Sequence, residues 1–337
     1  MKIIVEKNIP YIKGVLEKYA EVLYLPYSEI TCNTMKDADV LLVRTRNKCN
    51  AELLDGSRCR FIGTATIGID HIDMDYCEQR GITVVNAPGC NAPAVAQYVL
   101  SSIGYWMKKE YIFNTEGLTL GIVGVGHVGS IVARWAKLLG FKVLLCDPPL
   151  RRATGSADYL PLSKLMKDAD IITFHTPLTH MGIDATYHLA SRPFITALQN
   201  CRLLINCARG EIVDNVALVE SMNESSISDV VIDCWEDEPH LNSVLLDKSF
   251  IATPHIAGYS VEGKKRASAM MLEALAAHFC WDIEIPQVDA PFSGAENVTL
   301  ESIMASYNPL LDTEALKKCP QDFETLRNTY PLRSELK

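Results

Sequence analysis

The sequence predicts an α/β protein: two doubly wound parallel-sheet domains followed by a short C-terminal segment. Three observations carry that expectation. The first third alternates short strands and helices, residues 118–147 form one strand–turn–helix–strand unit, and four further apolar runs follow, each ending in polar residues. At 337 residues, 48% hydrophobic and 22% charged, the chain is long enough to bury two ordinary cores.

Strands are expected at 2–5, 22–25, 40–43, 61–63 and 83–85. Between the first two lies an amphipathic segment with Tyr11, Ile12, Val15, Leu16 and Tyr19 on one face, which reads as a covering helix. Pro88-Gly89-Cys90-Asn91 breaks the rhythm, and Asn91 is placed to cap a long helix running to about Lys109. Beyond the unit at 118–147, strand-like runs at 171–175, 203–206, 230–233 and 251–253 extend a second sheet. A helix over 261–278 then returns the chain toward its first domain. From Trp281 onward Pro286, Pro291, Pro309, Pro320 and Pro331 forbid long helices, and the segment reads as irregular.

Charge and composition narrow the function. A net charge of −9 and a pI near 5.4 disfavour nucleic acid or an anionic membrane as partner, so an anionic ligand must be met by a local basic cluster. No apolar run reaches the roughly 18 residues of a membrane span, and Met1-Lys2-Ile3-Ile4-Val5-Glu6 reads as a strand start rather than a signal peptide, so a cytoplasmic protein is expected. The eleven cysteines show no Cys-x-x-Cys spacing and mostly sit in apolar strands, as Cys146, Cys207 and Cys234 do. They read as reduced core residues, with no metal site.

Residues 118–147 read LTLGIVGVGHVGSIVARWAKLLGFKVLLCD. Gly124 allows a sharp exit from the strand, Gly126 removes the Cβ that would strike a pyrophosphate, and Gly129 lets the helix approach the sheet. The phosphates then meet a helix N-terminus, whose unpaired N–H groups and dipole favour anions. Asp147, at the end of the second strand, is positioned to accept the ribose hydroxyls and to repel a 2′-phosphate, which selects NAD over NADP. Arg151 and Arg152 lie just beyond it and read as solvated loop residues.

Open parallel sheets bind ligands outside the carboxyl ends of their strands, where Thr176-Pro177, Cys207-Ala208-Arg209-Gly210, the stretch from Asp233 to Glu238, and Pro254-His255 all fall. Hydride transfer from a 2-hydroxy acid needs a carboxylate anchor, a base for the hydroxyl proton and a group that tunes the base. Arg209 has the planar fork for the first role, His255 suits the second, and Glu238 is the candidate for the third. Taken singly, each has an ordinary reading as a surface arginine, a loop histidine or a solvated acidic turn. The joint pattern favours chemistry. His71, His127, His175, His180, His188, His240 and His278 lack a comparable arginine-and-acid setting and read as structural or exposed. A further basic knot, Arg44, Arg46 and Lys48, follows a strand of the first domain and suits a phosphorylated substrate.

These motifs, namely Gly124-Val125-Gly126-His127-Val128-Gly129 with Asp147, Asn206 through Gly210, Asp233 through Pro239 and Thr253 through Gly258, resemble the D-isomer-specific 2-hydroxyacid dehydrogenases over roughly residues 1–285. The resemblance implies a flavodoxin-like substrate domain at 1–91 with 261–285, a Rossmann NAD domain at 92–260, and a shortened dimerisation region at 286–337. It makes Arg209, Glu238 and His255 catalytic and NAD the cofactor. Gly124, Gly126, His127, Val128, Gly129, Asp147, Thr176, Cys207, Ala208, Asp233 and Gly258 would line the cofactor, with Asp233 at its nicotinamide end. Further stretches, among them Val43-Arg44-Thr45, 61–71, 87–92, 146–149, 173–178 and 255–260, resemble a branch of the family that acts on a phosphorylated hydroxy acid. That branch implies substrate contacts from Thr45, Thr66 and Tyr259, joined by Arg44, and a homodimer. Two alternatives stay open: a relative acting on 3-phosphoglycerate, glycerate or a 2-keto acid, and a corepressor-like protein that senses NADH.

Overall fold

The computed structural model describes residues 1–222, 224, 227–288 and 298–336. The chain divides into two compact units, Met1–Asn91 with Ser260–Ala290, and Ala92–Tyr259 with Pro291–Lys337.

The first unit holds five strands: β1 (Lys2–Glu6), β2 (Glu21–Leu25), β3 (Val40–Val43), β4 (Phe61–Thr64) and β5 (Thr83–Val85). They run parallel in the order β2-β1-β3-β4-β5, the flavodoxin-like arrangement. β1 and β3 are almost wholly buried because both faces of the sheet are covered. On one face Ala267, Met271, Leu272 and Leu275 of the helix Val261–Phe279 pack with Ile3, Val5, Leu42 and Phe61. Gly63 in β4 makes room for them, since a Cβ there would stand 2.7 Å from Met271 Cγ. The segment between β1 and β2 is not the expected helix but a series of turns. Tyr11 at φ +60° and Gly14 at φ +86° take left-handed backbone, which stops helix propagation, while Ile12 and Leu16 are still buried.

The second unit holds β6 (Thr119–Val123), β7 (Lys142–Cys146), β8 (Ile171–Phe174), β9 (Leu203–Asn206), β10 (Asp229–Ile232) and β11 (Ile251–Ala252), all parallel, in the order β11-β10-β9-β8-β6-β7. A parallel bridge joins Leu145 of β7 to Tyr159, which lies outside the named strands. It continues the sheet beyond β7, and the order then reads 3-2-1-4-5-6 with one further strand, as in a dinucleotide fold. The chain reverses direction across the sheet between β6 and β8. The strand ends at that point carry the Gly-rich turn and Thr176.

The long helix begins at Ala92 and ends at Lys109 as expected, but Asn91 Oδ1 is buried without a hydrogen-bond partner and does not cap it. The C-terminal segment differs more. Instead of irregular chain it forms the helices Leu300–Ser306, Pro309–Lys318 and Phe323–Asn328. Pro309 starts its helix, where no backbone N–H is needed, and Asn308 caps that helix by accepting the Leu310 N–H at 3.1 Å. Ile303, Leu316 and Phe323 are fully buried in the core of the second unit. All eleven cysteines are free, and only Cys32 and Cys280 are exposed.

Candidate active site

The Gly-rich turn leaves β6 at Gly124, where φ is +87° and a Cβ would stand 2.8 Å from the carbonyl carbon of His175. Gly129, in the first turn of the helix His127–Leu138, crosses so near that a Cβ would lie 2.0 Å from the Gly124 carbonyl oxygen. Gly126, the N-cap residue, is different in kind: no atom lies within 4 Å of its Cβ position. Two of the three glycines therefore answer to packing and the third to open space. His127 is exposed and Val128 half-buried beside it.

Asp147 closes the turn from the neighbouring strand. Its Oδ2 accepts the Val125 N–H at 2.8 Å, and its Oδ1 accepts the Leu150 N–H at 2.9 Å, capping the helix Pro148–Thr154. Across β6, Thr176 carries a buried hydroxyl with no hydrogen-bond partner, and its γ-methyl would stand 2.9 Å from a Cβ at Gly124. An orphaned hydroxyl and open space at a helix N-terminus fit a bound dinucleotide. The neighbouring His175 imidazole is buried, which pushes its pKa down to about 3 and leaves it neutral.

The turn after β9 is held by Asn206, which is fully buried. Its Nδ2 donates to the Arg209 carbonyl at 2.8 Å and its Oδ1 accepts the Ala208 N–H at 3.2 Å. Arg209 Nη1 donates to the Ala208 carbonyl at 2.8 Å. Gly210 lets the next turn pass, for a Cβ there would stand 2.0 Å from the Trp235 carbonyl. Cys207 is half-buried and Ala208 buried.

Asp233, after β10, is 1% exposed and serves the turn that carries His255. Its Oδ1 accepts the Thr253 hydroxyl at 2.6 Å and the Ile256 N–H at 2.8 Å, while Oδ2 accepts the Ala257 N–H at 3.0 Å. Thr253 in turn shares a hydrogen bond with the buried Tyr98 hydroxyl at 2.7 Å. Burial pushes the Asp233 carboxyl above the usual range, against the pull of His255 and these donors. Held this way, His255 takes left-handed backbone at φ +56° and its N–H donates to the Asp233 carbonyl at 2.9 Å.

The structure brings Glu238 and His255 together. His255 Nδ1 lies 2.9 Å from Oε2 and 3.0 Å from Oε1 of Glu238. The Trp235 N–H donates to Oε1 at 3.0 Å, and the Trp235 indole donates to the Thr253 carbonyl at 2.9 Å, tying the two turns together. Burial alone would raise the Glu238 carboxyl, but His255, then Arg327 and the Trp235 N–H outweigh it and hold the group below its ordinary value. With Nδ1–H donated to a carboxylate, Nε2 is the nitrogen left to exchange a proton. Burial pushes the Cys234 thiol well above its ordinary value, with Asp233 and Glu238 adding to the shift and Arg209 working against it. Tyr259 meets Tyr330 edge-on at 6.1 Å. Gly258 is half-buried in the same turn.

In the first unit, Arg44 and Thr45 follow β3 directly. Arg44 is half-buried and pairs with no acid among the described residues; Arg46 lies over the Tyr27 ring at 5.7 Å. Thr66 Oγ1 shares a hydrogen bond with Thr64 Oγ1 at 2.6 Å and donates to the Gly68 carbonyl at 3.0 Å.

Sequence reasoning missed several parts of this arrangement. His188 does have an acid partner, Glu236, with Nε2 and Oε1 2.5 Å apart, and Asp214 lies 3.6 Å from its Nδ1. Asn206 and Gly210 stand inside a quoted motif, and their spacing from Arg209 could have marked them. Arg327 ends the stretch Phe323–Arg327 that resembles the family's dimerisation region, and Arg333 lies in no quoted motif.

A family model described as D-isomer specific 2-hydroxyacid dehydrogenase, NAD binding domain, matches residues 93–257. The NAD+-bound 3-phosphoglycerate dehydrogenase of Entamoeba histolytica is similar at 27% identity with a TM-score of 0.68, over 83% of this chain and 94% of that one. Fold and site thus define an NAD-dependent dehydrogenase of the D-isomer-specific 2-hydroxyacid class. The erythronate-4-phosphate dehydrogenase of Bacteroides thetaiotaomicron is 47% identical over 342 residues, covering 100% of this chain and 98% of that protein. The enzyme of that name from Escherichia coli O157:H7 is 40% identical over 352 residues, covering 99% and 92%. The chain belongs to the erythronate-4-phosphate dehydrogenase family. No helix among the described residues is long and apolar enough to cross a membrane.

Proposed function

We propose that the chain oxidises 4-phospho-D-erythronate to 2-oxo-3-hydroxy-4-phosphobutanoate in pyridoxal 5′-phosphate synthesis, as a cytoplasmic homodimer. The observation that carries the chemistry is the Glu238–His255 hydrogen bond at a strand end of the sheet that also bears the Gly-rich turn. Bound NAD supplies the acceptor for the hydride that leaves C2. His255 Nε2 takes the hydroxyl proton as the C2–O bond becomes a carbonyl, and Glu238 stabilises the imidazolium so formed. Arg209 anchors the substrate carboxylate. Gly124, Gly126, Gly129, Thr176, Cys207 and Ala208 line the cofactor, and Asp147 holds its adenosine ribose. Asp233 faces the nicotinamide end besides holding the His255 turn. Residues 1–91 with 261–285 form the substrate domain, whose candidate contacts to the phosphorylated acid are Arg44, Thr45 and Thr66; in the NAD domain the candidate contact is Tyr259.

The substrate reading draws on the names of the relatives and on Arg44 at the β3 end, which pairs with no acid among the described residues. The likeness to a 3-phosphoglycerate dehydrogenase favours a second reading with that acid as substrate. A panel of 4-phosphoerythronate, 3-phosphoglycerate, glycerate and lactate, followed by NADH absorbance, separates them. Equal or better kcat/KM on 3-phosphoglycerate overturns the first reading.

A further inference from the structure

We propose that the C-terminal segment completes the catalytic site of its own chain through two positioning residues, Arg327 on the Glu238 carboxylate and Arg333 on the backbone of the His255 turn. The proposal rests on the dehydrogenase reading above and deepens it. Arg333 acts as a carbonyl clamp: Nη1 donates to Ile256 O at 3.1 Å and Tyr259 O at 3.2 Å, while Nη2 donates to Ala94 O at 3.1 Å and to Ala257 O. Its guanidinium also lies over the Tyr307 ring, 4.3 Å from its centre. The residues after His255 are therefore held from both sides, their N–H groups by Asp233 and their carbonyls by Arg333.

Arg327 approaches from the helix Phe323–Asn328. Its Nη1 stands 3.6 Å from Glu238 Oε2, with a side chain only 14% exposed. Burial works against its charge, and Tyr259 and then Glu238 outweigh that cost. Around Glu238 the groups are His255 on one oxygen pair, the Trp235 N–H, Arg327, and the Cys234 thiol. Arg327 is the permanent cation among them. Its field keeps the carboxylate ionised, and so keeps the Nδ1–H form of His255, across the pH range in which the imidazole must exchange a proton.

The test compares Arg327→Gln, Arg327→Met and Arg327→Lys with the unaltered chain. Two readouts are used: the pH profile of kcat/KM, and the imidazole 15N spectrum of His255 taken without substrate. The uncharged variants are expected to move the acid limb up by about one pH unit and to lower kcat about tenfold. In the spectrum they should give a mixture of tautomers. Arg327→Lys should restore the acid limb and the single Nδ1–H tautomer. An unchanged limb and an unchanged tautomer in the uncharged variants overturn the proposal. So does a result in which both uncharged variants unfold while Arg327→Lys stays folded, for the charge would then serve the fold alone. If the unaltered chain turns over no hydroxy acid but the tautomer responds as expected, the functional reading fails and the positioning role stands.

Discussion

The Gly-rich turn and the His255 turn sit at strand ends of the same sheet but are shaped by opposite means. The first depends on missing side chains: Gly124 and Gly129 let backbone meet backbone, and Gly126 leaves room. The second depends on buried polar side chains, with Asp233, Thr253, Glu238 and Arg333 each spending hydrogen bonds to hold one histidine in left-handed backbone. A site for a rigid, charged cofactor can be built from backbone N–H groups. A site that must move a proton needs an imidazole whose neighbours fix which nitrogen is free.

The strongest way to break this contrast is His255→Ala. Loss of the base should lower kcat 100-fold or more while leaving NAD affinity unchanged, read by steady-state kinetics and by quenching of protein fluorescence. Persistence of turnover within about tenfold would remove His255 from its role. The two kinds of glycine give the next largest effect. Gly129→Ala would press a methyl into the Gly124 carbonyl and should cost about 1–3 kcal/mol or more, seen as a lower Tm. Gly126→Ala meets no protein atom, so its Tm should hold while NAD affinity falls about tenfold.

Asp147→Ala tests a residue that belongs to both modes. It should cost about 1 kcal/mol through the lost helix cap and relax the preference for NAD over NADP. Unchanged cofactor selectivity would count against the ribose contact. The smallest effect concerns pH. Glu238 titrates below its ordinary 4.5 in the folded chain, so its stabilisation is whole above that value and lost as pH falls through the lower folded one. Denaturant unfolding of Glu238→Gln should therefore show a shallower loss of stability in acid than the unaltered chain.

The same contrast explains what was legible in the sequence. Backbone-built features leave local marks: the Gly124–Gly129 spacing, the apolar strands, and Asp147 about 20 residues beyond the glycines all read directly. Glu238 and His255 were legible because each lies in the turn that follows an apolar strand. Arg327 and Arg333 were not, since their partners lie far along the chain, and the stretch from Phe323 to Arg327 with Tyr330 resembles the family's dimerisation region and so points away from the site. The segment after β1 misled by its spacing. Apolar residues at 11, 12, 15, 16 and 19 match a helical face, yet Ile12 and Leu16 reach the core from turns because left-handed Tyr11 and Gly14 interrupt any helix. The C-terminal prolines misled in the other direction, since Pro309 begins a helix rather than preventing one.

The cysteine distribution gives the folded chain its own reporter. Cys32 and Cys280 stand open to solvent, whereas Cys49, Cys59 and Cys201 are buried with thiols pushed up to about 12. An alkylating reagent weighed by mass spectrometry should label Cys32 and Cys280 promptly, the half-buried Cys207 and Cys319 more slowly, and the seven buried cysteines only as fast as the cores come apart. The slow additions divide by peptide between the sheet of Cys49 and that of Cys201, so one time course ranks which half of the molecule opens first.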